Sequence, residues 1–157
     1  MGTTVKIWPL KTLMTAAAVT AVLAGPAWGD DMRTPSKPGA AVYFVNLSDG
    51  ATVSAPVNVV FGLRGMGVAP AGIDKKGTGH HHIFLDRPAF GKGMDGADEL
   101  AANIPADENH LHFGGGQTEN MLNLKPGRHS LQLVLGDRDH IPHDPPVVSK
   151  RITITVK

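Results

Sequence analysis

Eight histidines are spread over 157 residues, and all but His129 fall into three short groups. The first is the run His80-His81-His82, which opens an apolar stretch ending at Asp86. The second is the i, i+2 pair His110 and His112, and the third is the i, i+3 pair His140 and His143. Imidazole is the commonest protein ligand for transition metals. The chemistry these residues offer is therefore coordination of a metal ion.

The rest of the composition narrows that chemistry. With no cysteine in the chain, thiolate is removed from any site, and imidazole, carboxylate, thioether and backbone remain. A zinc ribbon and a blue-copper centre are excluded, since both need thiolate. For a site of imidazoles, Cu(II) outcompetes Zn(II), so copper is expected first and zinc second, with no organic cofactor. The expected ligands are three or four of His80, His82, His110, His112, His140 and His143, with His81 standing behind these six. Glu108, Asp137, Asp139 and Asp144 are available as ligands or as acceptors that fix imidazole tautomers. Met66, Met94 and Met121 would add thioether for Cu(I), although Met121, beside Leu122, fits core packing better. His129, in Pro-Gly-Arg-His-Ser-Leu, is expected to pack at a hairpin.

Other motifs are weak. Asp95, Asp98 and Glu99 lack the spacing of a calcium loop. Gly114-Gly115-Gly116 has neither the lysine nor the following helix of a phosphate loop. No nucleophile–base motif of the Gly-x-Ser-x-Gly kind is present.

The elements that must position the histidines read as strands. Residues 41–47, 57–63, 80–86, 110–113, 117–124, 129–135 and 147–156 are β-branched, aromatic or alternating, and Gly/Pro-rich turns separate them. Residues 87–106 read either as an extended loop or as a short helical turn near Asp95–Leu100. Seven short strands predict one all-β domain, an immunoglobulin-like antiparallel β-sandwich over residues 40–157. Each antiparallel strand reverses the chain, so the connections 65–79, 114–116 and 137–146 share one end. That end carries all three histidine groups, whereas His129 begins its strand at the other. The third, sixth and seventh strands of such a sandwich share a sheet, which sets His80–His82 beside residues 136–139. Alternation places His80 and His82 on one face of their strand, with Asp86, and His81, Ile83 and Leu85 on the other. Phe84 does not fit that division.

The N-terminal residues read as a targeting segment. Lys6 and Lys11 precede the apolar, alanine-rich stretch 12–25, and Ala27 and Gly29 supply small residues at −3 and −1 before Asp30. That is the layout of a secretory signal peptide over residues 1–29. The apolar stretch falls short of the ~20 residues of a membrane span. No Arg-Arg pair marks the twin-arginine route, and without cysteine there is no lipoprotein anchor. Residues 30–39, with two prolines and several charges, read as a flexible lead-in. Removal of 29 residues leaves 157 − 29 = 128, with 15 − 2 = 13 basic residues against 14 acidic ones. That balance suggests neither nucleic acid nor an anionic membrane surface as partner. The expected location is periplasmic or secreted, without membrane insertion after cleavage.

Three blocks carry a family resemblance: Gly79–Asp86, Ile104–Glu119 with its His-Leu-His-Phe-Gly-Gly-Gly-Gln-Thr-Glu, and Leu131–Asp137 followed by His140-Ile-Pro-His-Asp-Pro-Pro146. From Ala40 to the C-terminus the chain resembles a family of short exported bacterial domains known as domain of unknown function family 4399. The resemblance implies an exported single domain and brings no activity with it. Exported copper-handling sandwich domains are similar in general architecture only.

The leading expectation is a periplasmic metal-binding module that captures or delivers an ion, its partners being the metal and a metal-receiving or envelope protein. A metal-dependent enzyme of superoxide or hydrolase type is the alternative, because an open metal position activates water or dioxygen. The His-x-His alternation is similar, loosely, to copper/zinc superoxide dismutase, but that family's disulfide and full ligand spacing are missing. A third reading is an envelope adhesion or assembly module whose histidines make only hydrogen bonds.

Overall fold

The structure, a computed structural model, describes residues 1–4 and 33–157. The expected signal peptide lies, apart from its first four residues, outside the described residues. The chain divides into the units Met1–Asp31 and Met32–Lys157, and the second contains the elements below.

Among the described residues, nine strands make two sheets. The smaller joins β1 (Ala41–Phe44), β3 (Val57–Arg64) and β7 (Glu119–Leu122) in the order β1-β3-β7. The larger has the order β2-β9-β8-β5-β4, with β6 also paired to β5. Its members are β2 (Thr52–Val53), β4 (Gly67–Val68), β5 (Thr78–Leu85), β6 (His110–His112), β8 (Gly127–Gly136) and β9 (Ile152–Val156). The expected all-β antiparallel sandwich is what forms, and the expected third, sixth and seventh strands are the neighbours β5, β8 and β9. The count rises from seven to nine through β2 and β4, two-residue strands that pair parallel to β9 and β5. Pairs that short have no periodicity to read.

The core lies between the sheets. Val57, Val59 and Phe61 of β3, with Val42 and Leu122, face Ile83 and Leu85 of β5, Leu131, Leu133 and Leu135 of β8, and Ile152, Ile154 and Val156 of β9. These are the alternate residues of each strand, as a half-buried pleat requires.

The outer face of β5 and β8 is covered as well. Residues 87–106 cross it and contain α1, the single turn Gly96–Glu99. Phe84 and Val134 form a second apolar cluster there with Ile104, against which Phe90 and Val148 pack. Gln132 stitches the cover down, accepting from Phe90 N–H at 2.8 Å and donating to the Ser149 carbonyl at 2.8 Å. Phe84 thus blurs the alternation because its strand is buried on both sides.

The segment read as a lead-in is paired from residue 34 onward. Ser36 N–H donates to the Asp144 carbonyl at 2.9 Å, and Asp144 N–H to the Thr34 carbonyl at 3.0 Å.

Leu133 is fully buried in the central strand of the larger sheet. Leu133→Ala is expected to lower unfolding free energy by about 2–5 kcal/mol in chemical denaturation. A loss under about 1 kcal/mol would contradict this placement of the core.

Candidate metal centre

Four of the seven candidate histidines converge. One ring nitrogen from each of His80, His82, His112 and His140 lies within 4.8 Å of all the others. The Nε2 atoms of His80 and His82 are 2.9 Å apart, and His80 Nε2 is 3.2 Å from His140 Nδ1. Four nitrogens bound tetrahedrally at ~2.0–2.1 Å would sit roughly 3.3 Å from one another. The two shortest separations lie just under that spacing, and the rest stay within 4.8 Å.

The chain builds this convergence from three elements. His80 and His82 project together from β5, two residues apart. In register, His82 opposes His112 of β6 on one side, and His80 opposes Gly136 of β8 on the other. The chain leaves β8 at Gly136 and returns within four residues to present His140. His80 and His82 are fully buried, His140 is half-buried and His112 is exposed, so the cluster opens to solvent along the edge that β6 forms.

The other three candidates point elsewhere. His81 faces the core, its ring centroid 5.2 Å from that of Phe61 and its Nδ1 3.3 Å from the Gln117 carbonyl. His110 shares a face with His112 but sits one pleat further along, edge-on to Phe84, with Nδ1 2.9 Å from both carboxylate oxygens of Asp107. His143 is buried with Nδ1 2.7 Å from Thr34 Oγ1, and its Nε2 lies against Gly79. Sharing an end of the sandwich is therefore a weaker condition than sharing an ion. His129 is at the hairpin, as expected, with Nδ1 2.8 Å from Asp86 and Nε2 2.8 Å from the Lys125 carbonyl. Of the methionines considered, Met94 and Met121 are exposed and Met66 packs against the core.

Glycines make the room. A Cβ on Gly136 would lie 2.8 Å from His82 Nε2, and one on Gly114 would run into the His112 ring. Both positions are taken by imidazole only because no side chain is there. The run Gly114-Gly115-Gly116 thus serves the site by close approach and not by binding an anion. The 65–79 connection ties the rim together, with Ala71 N–H donating to the Gly114 carbonyl at 2.8 Å and Gly72 N–H to the Arg138 carbonyl at 2.9 Å. None of these glycines stood out as part of the site in the sequence; a glycine ending an apolar strand was the available signal.

His140 has φ of 65°, a left-handed conformation that a non-glycine residue seldom adopts. Its cost is of order 1–3 kcal/mol, and such residues concentrate at functional sites. The buried rings carry a second cost, on the nitrogens that do not face the cluster. His80 Nδ1 and His82 Nδ1 have no protein hydrogen-bond partner, at about 1–3 kcal/mol for each such group. A cation at the facing nitrogens would take the place of the ring-to-ring hydrogen bonds His82 Nε2–His80 Nε2 and His80 Nε2–His140 Nδ1.

An all-β sandwich with a four-imidazole cluster at one end, able to hold a metal ion, is the class of protein that fold and site define. Residues 59–157 match the model of the family described as Domain of unknown function (DUF4399), and the chain belongs to that family. All four clustered histidines fall inside the match. No curated protein and no solved structure matches the chain.

Burial disfavours the charged form of three of the four rings. Burial, reinforced by His140 and His112, lowers the His80 pKa from 6.5 to about 4. Burial together with His80 and His112 lowers that of His82 to about 2. His112 is also lowered, by desolvation first and by His140 second. Unfolded histidines bind protons near pH 6.5, so between 6.5 and 4 the unfolded chain takes up protons that folded His80 and His82 refuse. By linkage, stability without metal is full above pH 6.5 and is lost as pH falls toward 4, continuing lower for His82. Urea midpoints measured from pH 7 to 4.5 should decline, and less steeply in His80→Gln/His82→Gln. Parallel profiles for the two proteins would contradict the burial of neutral rings.

Proposed function

We propose that this chain is an exported metal-binding module of the cell envelope. It captures or delivers a divalent ion, copper(II) ahead of zinc, with His80, His82, His112 and His140 as ligands. The observation that carries the reading is the meeting of four imidazole nitrogens within 4.8 Å, two of them on rings withdrawn from solvent. Depressed basicity supports it, because a metal competes with protons for the same lone pairs and burial disfavours the imidazolium form of His80, His82 and His112. A set of imidazoles in a chain without cysteine favours Cu(II) and Zn(II) over Cu(I). The layout of residues 1–29 supports export.

The exposure gradient suggests a route. His112 and His140 face the outside, and His80 and His82 lie behind them. An ion enters past the outer pair and leaves the same way, so a receiving protein would approach along the β6 edge.

Equilibrium dialysis with elemental analysis tests the reading. The purified chain should take up one copper, and His80→Ala/His82→Ala should weaken uptake by more than about 100-fold, beyond the loss expected of an outer partner. His110→Ala should leave uptake unchanged. Equal uptake by wild type and the His80/His82 double variant would contradict the site.

A further inference from the structure

The loop that presents His140 is organised by groups outside the cluster. Asp137 is 2% exposed. Its Oδ1 accepts the backbone N–H of Asp139 at 2.9 Å and of Ile141 at 3.0 Å, the residues on either side of His140. Backbone bonds close the same turn: His140 N–H to the Asp137 carbonyl at 3.0 Å, and Asp137 N–H to the Ile141 carbonyl at 2.9 Å. A left-handed non-glycine residue persists where its surroundings over-determine it. Two flanking amides fixed on one buried oxygen do that for His140.

The other carboxylate oxygen reaches out of the loop. Oδ2 accepts the Thr34 hydroxyl at 3.1 Å. The hydroxyl oxygen is in turn 2.7 Å from His143 Nδ1, and the Thr34 carbonyl is 3.2 Å from the same nitrogen. Because the hydroxyl proton goes to Asp137, His143 Nδ1–H is the donor to Thr34. Pro35 bridges in parallel to Asp144, and Arg33 pairs with the Asp144 carboxylate at 3.3 Å. Residues 33–36 therefore run as a strap alongside 143–144, more than 100 positions away in sequence. His143, whose spacing suggested a ligand, is an anchor of that strap.

We propose that Asp137 and Thr34 are positioning residues for the His140 ligand. Through the Thr34 hydroxyl and the buried Asp137 carboxylate, the strap sets the backbone from which His140 reaches the cluster, so a segment outside the site tunes its metal affinity. This rests on the metal-binding reading of the four histidines. Neither residue touches the ion; each acts through the conformation of residues 137–141.

A double-mutant cycle separates this role from a general effect on the fold. Copper(II) affinity is measured by chelator competition on wild type, Asp137→Ala, His140→Ala and the double variant. Asp137→Ala should weaken binding by about 10–100-fold, as for other partners of ligand groups. In the His140→Ala background the same change should have no further effect. Asp137→Asn, which keeps an oxygen to accept the two amides, should recover most of the loss. Electron paramagnetic resonance of copper-loaded Asp137→Ala should show the nitrogen count of His140→Ala, one fewer than wild type. Should Asp137→Ala not fold, Thr34→Val carries the same cycle with a smaller loss in the same direction. Equal loss in both backgrounds, or none in either, overturns the proposal while leaving the metal site standing. Failure of the wild-type chain to bind copper would overturn the metal reading beneath it.

Discussion

The antiparallel pairing of β5 with β8 determines everything at the proposed site. In that register His80 opposes Gly136, His82 opposes Val134 and Ile83 opposes Leu133. Side chains alternate with a period of two, so slipping β5 by one residue would turn His80 and His82 into the core and push Ile83 out. The apolar side chains of both strands hold the register, with Ile83, Leu131, Leu133 and Leu135 all fully buried. Burial of these residues is worth about 1.5–3 kcal/mol each, and it resists any shift that would scatter the imidazoles. The same register places a glycine where the His82 ring needs space, and starts the loop that returns with His140.

Fold and site conflict where β5 begins. Every residue from Gly79 to Leu85 is buried, yet three consecutive members are imidazoles, which a core built for stability alone would replace with aliphatic side chains. Neutral imidazole lowers the cost relative to a charged group, but unpaired ring nitrogens still cost about 1–3 kcal/mol each. The left-handed His140 adds a penalty of similar size. Stability sacrificed at a fixed place for a preorganised arrangement is the usual signature of function. An ion bound by the folded chain alone would offset it, by ~4 kcal/mol at a thousand times its dissociation constant. The second apolar cluster, Phe84, Ile104 and Val134 under the 87–106 segment, supports the same strand from its outer side.

Much of this was legible in the sequence, and the part that was not has physical causes. Residues 57–63 and 129–135 read as strands, and both lie within observed ones, β3 and β8. Chain reversal was enough to bring residues 80–82, 112 and 140 to one end. It did not separate His112 from His110, because residues i and i+2 share a face yet stand about 6.6 Å apart along the strand. That distance moves His110 from the ion to Phe84 and Asp107. His143 was ambiguous for another reason, since its partner Thr34 lies in a segment with no strand pattern. Nothing in Asp137-Arg138-Asp139-His140 announces a left-handed residue, because the position carries no glycine and Asp137 enforces it from three residues away. The cover over Phe84 was hidden too, as residues 87–106 owe their placement to Gln132 and Ile104 and not to a helical or strand period.

Copper K-edge X-ray absorption on the wild-type chain loaded with one equivalent of Cu(II) tests the central claim most directly, because imidazole rings give a multiple-scattering pattern that counts them. The expected spectrum has a nitrogen first shell without sulfur and the outer-shell signature of four imidazoles. A first shell dominated by oxygen, with one imidazole or none, would mean that the four rings meet without sharing an ion.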